Sequence, residues 1–247
     1  MVLANSLFSW ARKDSVALSA GKVVDWVDAV APGVGIRATV PNHVFTQPTD
    51  AVRIATPSAS SVTKFRGQIA GKFLGGQGYT SSAGEGEWRF VRDGTPCVAI
   101  AIGAARNGTV FRVFDTFQAA TPYHELLISA VTPGDMRSRV NNGAGFILST
   151  TSAAGAAADE PFYTYQTYSE AASPKQTFYL NRTLIGNTAP SGAPGAGAGV
   201  TLSFGGATTG SPGTFELMEL MFAKDVSASL RATIDRYVAL QYPVFGP

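Results

Sequence analysis

The chain has 247 residues, of which 45% are hydrophobic and 15% charged, and its net charge is +2. This balance excludes an intrinsically disordered chain, and a single cysteine excludes a disulfide framework. The 19 basic residues are offset by 17 acidic ones and form no cluster, which argues against nucleic-acid binding. We therefore expect one folded domain over residues 1–247.

The N-terminal stretch, MVLANSLFSWARKDS, has no basic region followed by a long apolar one, as a secretory signal would have. No apolar run reaches the ~20 residues of a membrane-spanning helix. These features predict a protein that is made in a cytoplasm and has no membrane partner.

Apolar or alternating runs, separated by turn residues and not by helices, recur along the chain. They cover residues 22–30, 97–105, 109–117, 124–131, 145–152, 160–168, 175–186, 200–206 and 215–222. The pair Asn181–Arg182 predicts a two-residue turn inside the segment 175–186. This pattern is typical of an antiparallel β-sandwich or jelly roll.

One segment near the C-terminus has a helical period. Its apolar side chains fall on one helix face: Leu230, Ile234, Tyr237 and Val238. Ser227 or Ser229 can cap the start, and Pro243 ends the segment. We predict a helix over roughly residues 228–241, with Arg231, Asp235 and Arg236 facing water.

Two glutamates, Glu216 and Glu219, lie in the apolar run FELMELMF. Side chains alternate between the faces of a strand, so an odd spacing predicts that these two carboxylates point to opposite faces. A catalytic pair in a glycosidase must flank one bond from the same side, about 5 to 10 Å apart. We therefore predict no catalytic pair here. Glu85 and Glu87 share one parity, but neighbouring glycines predict a loop.

Other chemistry-bearing residues are few. Cys97 lies in an apolar run and is expected to be buried. His43 and His124 are expected at the surface or rim, although a Ser-His-Asp site is not excluded. We expect no cofactor and no obligatory metal, because the candidate calcium ligands are scattered. Those candidates are Asp25, Asp28, Asp93 and Asp115.

Ring residues alternate with hydroxyl residues in PFYTYQTY, where Tyr163 and Tyr165 share one face of the strand and Phe162 and Tyr168 share the other. If the two tyrosines are exposed, they form a partner or glycan surface, since rigid amphipathic rings suit sugar stacking and protein contacts. The alternative is that they cover the second face of a sheet with only their hydroxyls exposed.

Several segments, in order, resemble concanavalin A-like (laminin G-like) jelly-roll domains. The C-terminal segment GTFELMELMFAKDVSASLRATIDRYVALQYP resembles the final strand and helix of that family. Upstream, KVVDWVDAVAPGVG, FTQPT and GEWRFVRDGTPCVAIAI resemble earlier pieces. KQTFYLNRTLIG resembles a family hairpin, with Arg182 where glycine is usual. The Glu-x-Asp-x-x-Glu motif of the family's hydrolases is absent from this sequence.

The resemblance implies one of three functions. Its C-terminal segment resembles most the domains of phage virion proteins. We therefore expect a non-enzymatic head-decoration, head-fibre or tail-associated module, located in the virion and contacting virion proteins and copies of itself. The second possibility is a carbohydrate-binding, lectin-like or receptor-binding domain that binds a cell-surface glycan. The third is a glycoside hydrolase of the same fold.

Overall fold

The computed structural model describes residues 3, 6–19, 22–30, 44–46, 53–54, 71–73, 79–81, 85–105, 111–116, 122–128, 136–142, 146–152, 160–188, 202–205 and 215–246. Sixteen β-strands occupy most of them. The first eight are β1 (Ser9–Ser19), β2 (Lys22–Asp28), β3 (Val44–Thr46), β4 (Arg53–Ile54), β5 (Gly71–Phe73), β6 (Tyr79–Ser81), β7 (Cys97–Ala105) and β8 (Phe111–Asp115). The others are β9 (Pro122–Ile128), β10 (Met136–Asn142), β11 (Phe146–Ser152), β12 (Pro161–Tyr168), β13 (Gln176–Leu180), β14 (Thr183–Thr188), β15 (Ser203–Phe204) and β16 (Phe215–Ala223).

The strands follow one hydrogen-bonded order, β11-β10-β9-β8-β15-β6-β3-β2-β1-β16-β7-β12-β13-β14. Strand β4 pairs with β2, and β5 pairs with β16. Every ladder between described strands is antiparallel. The predicted antiparallel β-sandwich with a C-terminal helix is therefore confirmed.

Strand β7 is apolar throughout because both of its faces are buried. Ala99 and Ala101 contribute to the core between the two layers of the sandwich. Ile100 and Ile102 point the other way, into a second core beneath the C-terminal helix. A strand covered on both faces needs a continuous apolar run rather than an alternating one. Cys97 is buried here, as expected.

The C-terminal helix, α2 (Ala228–Gln241), has the bounds that the sequence predicts. The Ser227 hydroxyl caps it by accepting a hydrogen bond from the Leu230 N–H. Leu230, Ile234 and Val238 form its buried face. Their burial fixes α2 on the outer side of the layer that contains β16, β7 and β12.

Two local predictions have different outcomes. The turn at Asn181–Arg182 is confirmed, with positive φ angles of 46° and 71° between β13 and β14. The loop expected around Glu85 and Glu87 is wrong: α1 (Glu85–Trp88) leads into a 3-10 turn (Arg89–Val91). Burial of Trp88, whose ring packs on Phe8 and Phe222, accounts for the local helix despite its glycine.

Within the described part of the chain, no helix has both the length and the apolar character needed to cross a membrane.

Candidate functional site

The two glutamates of β16 lie on the same face, so the prediction of opposite faces is wrong. Glu216 is paired across the ladder with Ala104, and Glu219 with Ile102. Ala104 and Ile102 are two residues apart on β7 and share one face. The register shifts between Leu217 and Glu219, which leaves Met218 as the extra residue of a β-bulge. This bulge restores to one face two side chains that strict alternation would separate.

Glu219 is nevertheless a structural carboxylate and not an accessible one. Its Oε2 accepts the indole N–H of Trp10 at 2.6 Å. Its Oε1 accepts the hydroxyls of Tyr237, at 2.6 Å, and of Tyr242. Glu216 is fully buried as well. A carboxylate that attacks or protonates a substrate must reach it, and neither side chain is open to solvent. Burial, and not facing direction, is the reason that this pair does not form a glycosidase site.

Tyr163 and Tyr165 are only 1% and 2% exposed, so they do not form the exposed ring pair that a partner or glycan surface would need. Both rings lie in the core beneath α2. The Tyr163 hydroxyl donates to Asp235 Oδ1 at 2.9 Å. Burial raises the pKa of Tyr163, and the adjacent Asp235 carboxylate raises it further. The alternative interpretation, in which the tyrosines cover the second face of the sheet, is correct about the face. Its exposed hydroxyls are wrong, since the Tyr165 hydroxyl is buried and the Tyr163 hydroxyl bonds to Asp235.

A cleft opens where the ends of β12 and β13 meet the start of α2. Its volume is about 290 Å³, near the small end of the range for ligand sites. The strands and the turn between them contribute Tyr165, Thr167, Ser169, Ala172, Pro174, Lys175, Thr177 and Tyr179. The start of α2 contributes Val226, Ser227, Ala228 and Arg231. The cleft therefore combines one half-buried aromatic ring with several hydroxyls and two cations.

Arg231 and Tyr179 form one wall of the cleft. The guanidinium carbon of Arg231 lies 3.5 Å from the centroid of the Tyr179 ring, a cation–π contact. Arg231 Nε is 3.5 Å from Asp235 Oδ2, one helical turn away. These two contacts hold the guanidinium in place, so that the arginine is a fixed part of the wall.

Two further polar features line the cleft. The hydroxyls of Thr167 and Thr177 are 2.6 Å apart across the β12–β13 ladder. The Tyr165 hydroxyl is buried and has no hydrogen-bond partner among the described residues. Burial raises the pKa of Tyr165 despite the lowering effect of nearby Arg231, so this hydroxyl is protonated and can donate. A buried hydroxyl without a partner is costly, and a ligand in the cleft could remove that cost.

Most of this site is not indicated by the sequence. The helical pattern predicts that Arg231 faces water, whereas Arg231 is half-buried against Tyr179. The pattern around Lys175 and Tyr179 predicts only a strand. The alternation of side chains in β13 is the signal that could have indicated part of the site. Phe178 and Leu180 point into the core, so Thr177 and Tyr179 must point away from it. Nothing in the sequence indicates that the first turn of α2 lies opposite them.

His124 is fully buried, so its expected surface position is wrong; His43 lies outside the described residues. The Nδ1 atom of His124 is 3.0 Å from the Val91 carbonyl oxygen, and the His124 ring packs edge-on against Phe114. Burial lowers the pKa of His124 to about 4. His124 therefore stays neutral at physiological pH.

The calcium candidates do not converge in the described structure. Asp115 is buried and accepts the Ser203 hydroxyl at 2.9 Å, and Asp93 accepts the Thr95 N–H in a local turn. The side chains of Asp25 and Asp28 lie outside the described set. No group of three or more potential metal ligands occurs among the described residues.

No known protein family and no curated protein matches the sequence. Solved structures do match its fold. The botulinum neurotoxin serotype D binding domain is similar over 97% of this chain and 54% of its own length, with a TM-score of 0.64 and 10% identity. The Ruminococcus gnavus IT-sialidase CBM40, bound to α2,3 sialyllactose, is similar over 70% of this chain and 96% of its own, with a TM-score of 0.54 and 13% identity.

A third structure is the botulinum neurotoxin serotype D ligand-binding domain in complex with N-acetylneuraminic acid. It is similar over 96% of this chain and 52% of its own, with a TM-score of 0.58 and 10% identity. The chain thus spans about half the length of the neurotoxin domains that it matches. At these identities the likeness shows a shared β-rich fold.

Proposed function

We propose that this protein is a lectin-like carbohydrate-binding module and that its glycan binds in the cleft between β12, β13 and the start of α2. The observation that carries the proposal is the composition of that cleft. A half-buried Tyr179 ring and Pro174 line the cleft, together with polar groups from Thr167, Thr177 and Arg231.

Sugars suit such a surface because they present small apolar faces beside hydroxyl groups. An aromatic ring and a proline supply apolar contact, while hydroxyls and cations supply directional hydrogen bonds that fix orientation. Tyr179 is held from one side by Arg231 and edge-on by Tyr165, at a centroid distance of 6.2 Å. A ring fixed in this way loses little conformational freedom when it binds a ligand.

The fold comparisons support a binding role. The similar structures are a neurotoxin binding domain, a neurotoxin ligand-binding domain in complex with N-acetylneuraminic acid, and a CBM40 bound to α2,3 sialyllactose. A fold hosts many functions, so this support is by analogy, and the cleft carries the proposal.

The test is a screen of the purified protein on a glycan array, followed by calorimetric titration of the glycans that bind. Tyr179→Ala removes the ring of the cleft and is expected to weaken binding about tenfold or more. Leu184→Ala is the matched control, because Leu184 is paired with Tyr179 across the β13–β14 ladder, is exposed and does not line the cleft. If Leu184→Ala abolishes glycan binding and Tyr179→Ala leaves it intact, the glycan site lies elsewhere. If no glycan on the array binds, the proposed function is wrong.

A structural role in a virion, with contacts to other virion proteins or to copies of itself, remains a prediction. One surface feature favours a protein contact: Leu240 and Val244, near the end of the chain, are 70% and 46% exposed. Under this hypothesis, Leu240→Ser should reduce incorporation into particles and leave glycan binding unchanged. Normal incorporation of that variant would exclude Leu240 from the contact.

A further inference from the structure

We infer that the cleft selects glycans that carry a carboxylate, with the guanidinium of Arg231 as the group that recognises it. This inference rests on the proposed function and specifies the ligand class of the same site. Of the twelve residues that line the cleft, two are basic and none is acidic.

Arg231 lines the cleft and carries a donor group that suits a planar anion. Its guanidinium is stacked on Tyr179 and its Nε faces Asp235. The two terminal amino groups have no hydrogen-bond or ion-pair partner among the described residues. Two parallel N–H groups match the two oxygens of a carboxylate, and this bidentate arrangement is stronger and more directional than a single contact.

The start of α2 adds backbone N–H groups that can also donate hydrogen bonds to an anion. The Leu230 N–H is capped by Ser227, and the Ser227 N–H is bonded to Asp225. The N–H groups of Ala228 and Ser229 have no partner among the described residues. Helix N-termini attract anions because these N–H groups and the helix dipole point toward them. The buried, unpartnered Tyr165 hydroxyl is the independent sign that a ligand's acceptor fits here.

The acidic groups around the cleft are engaged within the protein. Asp225 accepts both the N–H and the hydroxyl of Ser227. Asp235 holds Tyr163 and Arg231, and Glu170 forms an ion pair with Lys175. Glu170 offsets the charge of Lys175, and Asp235 offsets part of the charge of Arg231 at Nε, at 3.5 Å. The terminal amino groups of Arg231 are therefore the donors that we assign to the anion.

The test uses matched probes that differ by an acidic group. 3′-Sialyllactose is compared with lactose, and trigalacturonate with galactotriose, by calorimetric titration of the wild-type protein. We expect at least one acidic probe to bind about tenfold or more tightly than its neutral counterpart, since a hydrogen bond to a charged group contributes more than a neutral one. This preference should weaken at high salt.

Three variants locate the preference. Arg231→Gln is expected to remove it, and Arg231→Lys to restore only part of it, because lysine keeps the charge and loses the planar fork. Arg236→Gln is the control, since Arg236 is exposed on the same helix and does not line the cleft. Melting temperatures of all variants show whether α2 remains docked.

The outcomes separate the two proposals. If neutral glycans bind through Tyr179 as tightly as acidic ones, or if Arg231→Gln keeps the preference, the carboxylate inference is wrong and the lectin-like function stands. If lactose 3′-sulfate binds as tightly as the best carboxylated probe, selection is for charge alone and the assignment of a carboxylate is wrong. If no glycan of either class binds, both proposals fail.

Discussion

The indole N–H of Trp10 donates a 2.6 Å hydrogen bond to Glu219, a residue 209 positions away along the chain. The same carboxylate accepts hydroxyls from Tyr237 on α2 and from Tyr242 just beyond it. One buried side chain thereby joins the first strand, the last strand and the C-terminal helix. Its position on the helix-facing side depends on the bulge at Met218.

We predict that Glu219→Gln destabilises the protein without affecting glycan binding. Glutamine has one acceptor oxygen in place of two and cannot satisfy all three buried donors, so the free energy of unfolding should fall by about 2 kcal/mol or more. Thermal unfolding should show Tm lower by roughly 4–8 °C. Glu87→Gln, on the exposed surface of α1, is the control. Unchanged Tm in Glu219→Gln, or loss of a polysaccharide hydrolase activity with folding intact, would contradict the structural role.

A buried charge beneath α2 should be more damaging still. Ile234 is fully buried on the helix face that meets the sheet. Ile234→Asp is expected to cost several kcal/mol, because an aspartate there has neither water nor a partner. Ala232→Asp places the same group on the exposed side of the same helix and should change Tm little. Equal Tm values for the two variants would show that α2 is not docked in solution.

The elements of this fold were largely readable from the sequence. Apolar periodicity located α2, since Leu230, Ile234 and Val238 recur at the helical period. A capping serine and Pro243 indicated roughly where it begins and ends. Asn181 and Arg182 marked a turn that the backbone confirms. Patterns of this kind are local, and local chemistry is sufficient to determine them.

The candidate site was not readable because it depends on contacts between distant segments. Parity placed Tyr163 and Tyr165 together on one face but could not show that α2 covers that face. Strict alternation put Glu216 and Glu219 on opposite faces, and a single inserted residue, Met218, reverses that. The cleft needs the start of α2 opposite β13, which is a tertiary relationship.

His124 should make stability depend on pH. Burial lowers its pKa to about 4 in the folded protein, against 6.5 for an unperturbed histidine. Below about pH 6.5 the unfolded chain gains a proton at His124 that the folded protein does not. The contribution of neutral His124 to the free energy of unfolding is therefore fully present above pH 6.5 and is lost as pH falls toward about 4. Between about pH 7 and about pH 5 the loss should be about 2 kcal/mol.

The measurement is denaturant unfolding of the wild type and of His124→Asn at both pH values. The variant lacks the titrating group, so its unfolding free energy should change less over this interval. If the free energy of unfolding of the wild type changes with pH as little as that of His124→Asn, His124 is accessible to protons in the folded state.

The thiol of Cys97 provides a chemical test of the core between the two layers of the sandwich. Burial raises the pKa of Cys97 to about 12, so almost no thiolate is present near neutral pH. We expect no reaction with iodoacetamide in the folded protein and full labelling of one site in denaturant, followed by mass spectrometry. Rapid labelling under native conditions would contradict the burial of β7.

Gly103 should tolerate no larger residue, because the bulge in β16 brings two backbones close together. A Cβ at Gly103 would lie 2.3 Å from the Glu216 carbonyl oxygen and 2.9 Å from the ring of Phe162. The carbonyl belongs to a strand held on both sides, so Gly103→Ala must shift the backbone and should lower Tm by roughly 5–10 °C. Gly86→Ala is the matched control: its added Cβ meets nothing within 4 Å, and alanine favours helix α1. If both variants have the Tm of the wild type, the register between β7 and β16 differs from the one described. The placement of Glu216 and Glu219 on one face would then be wrong as well.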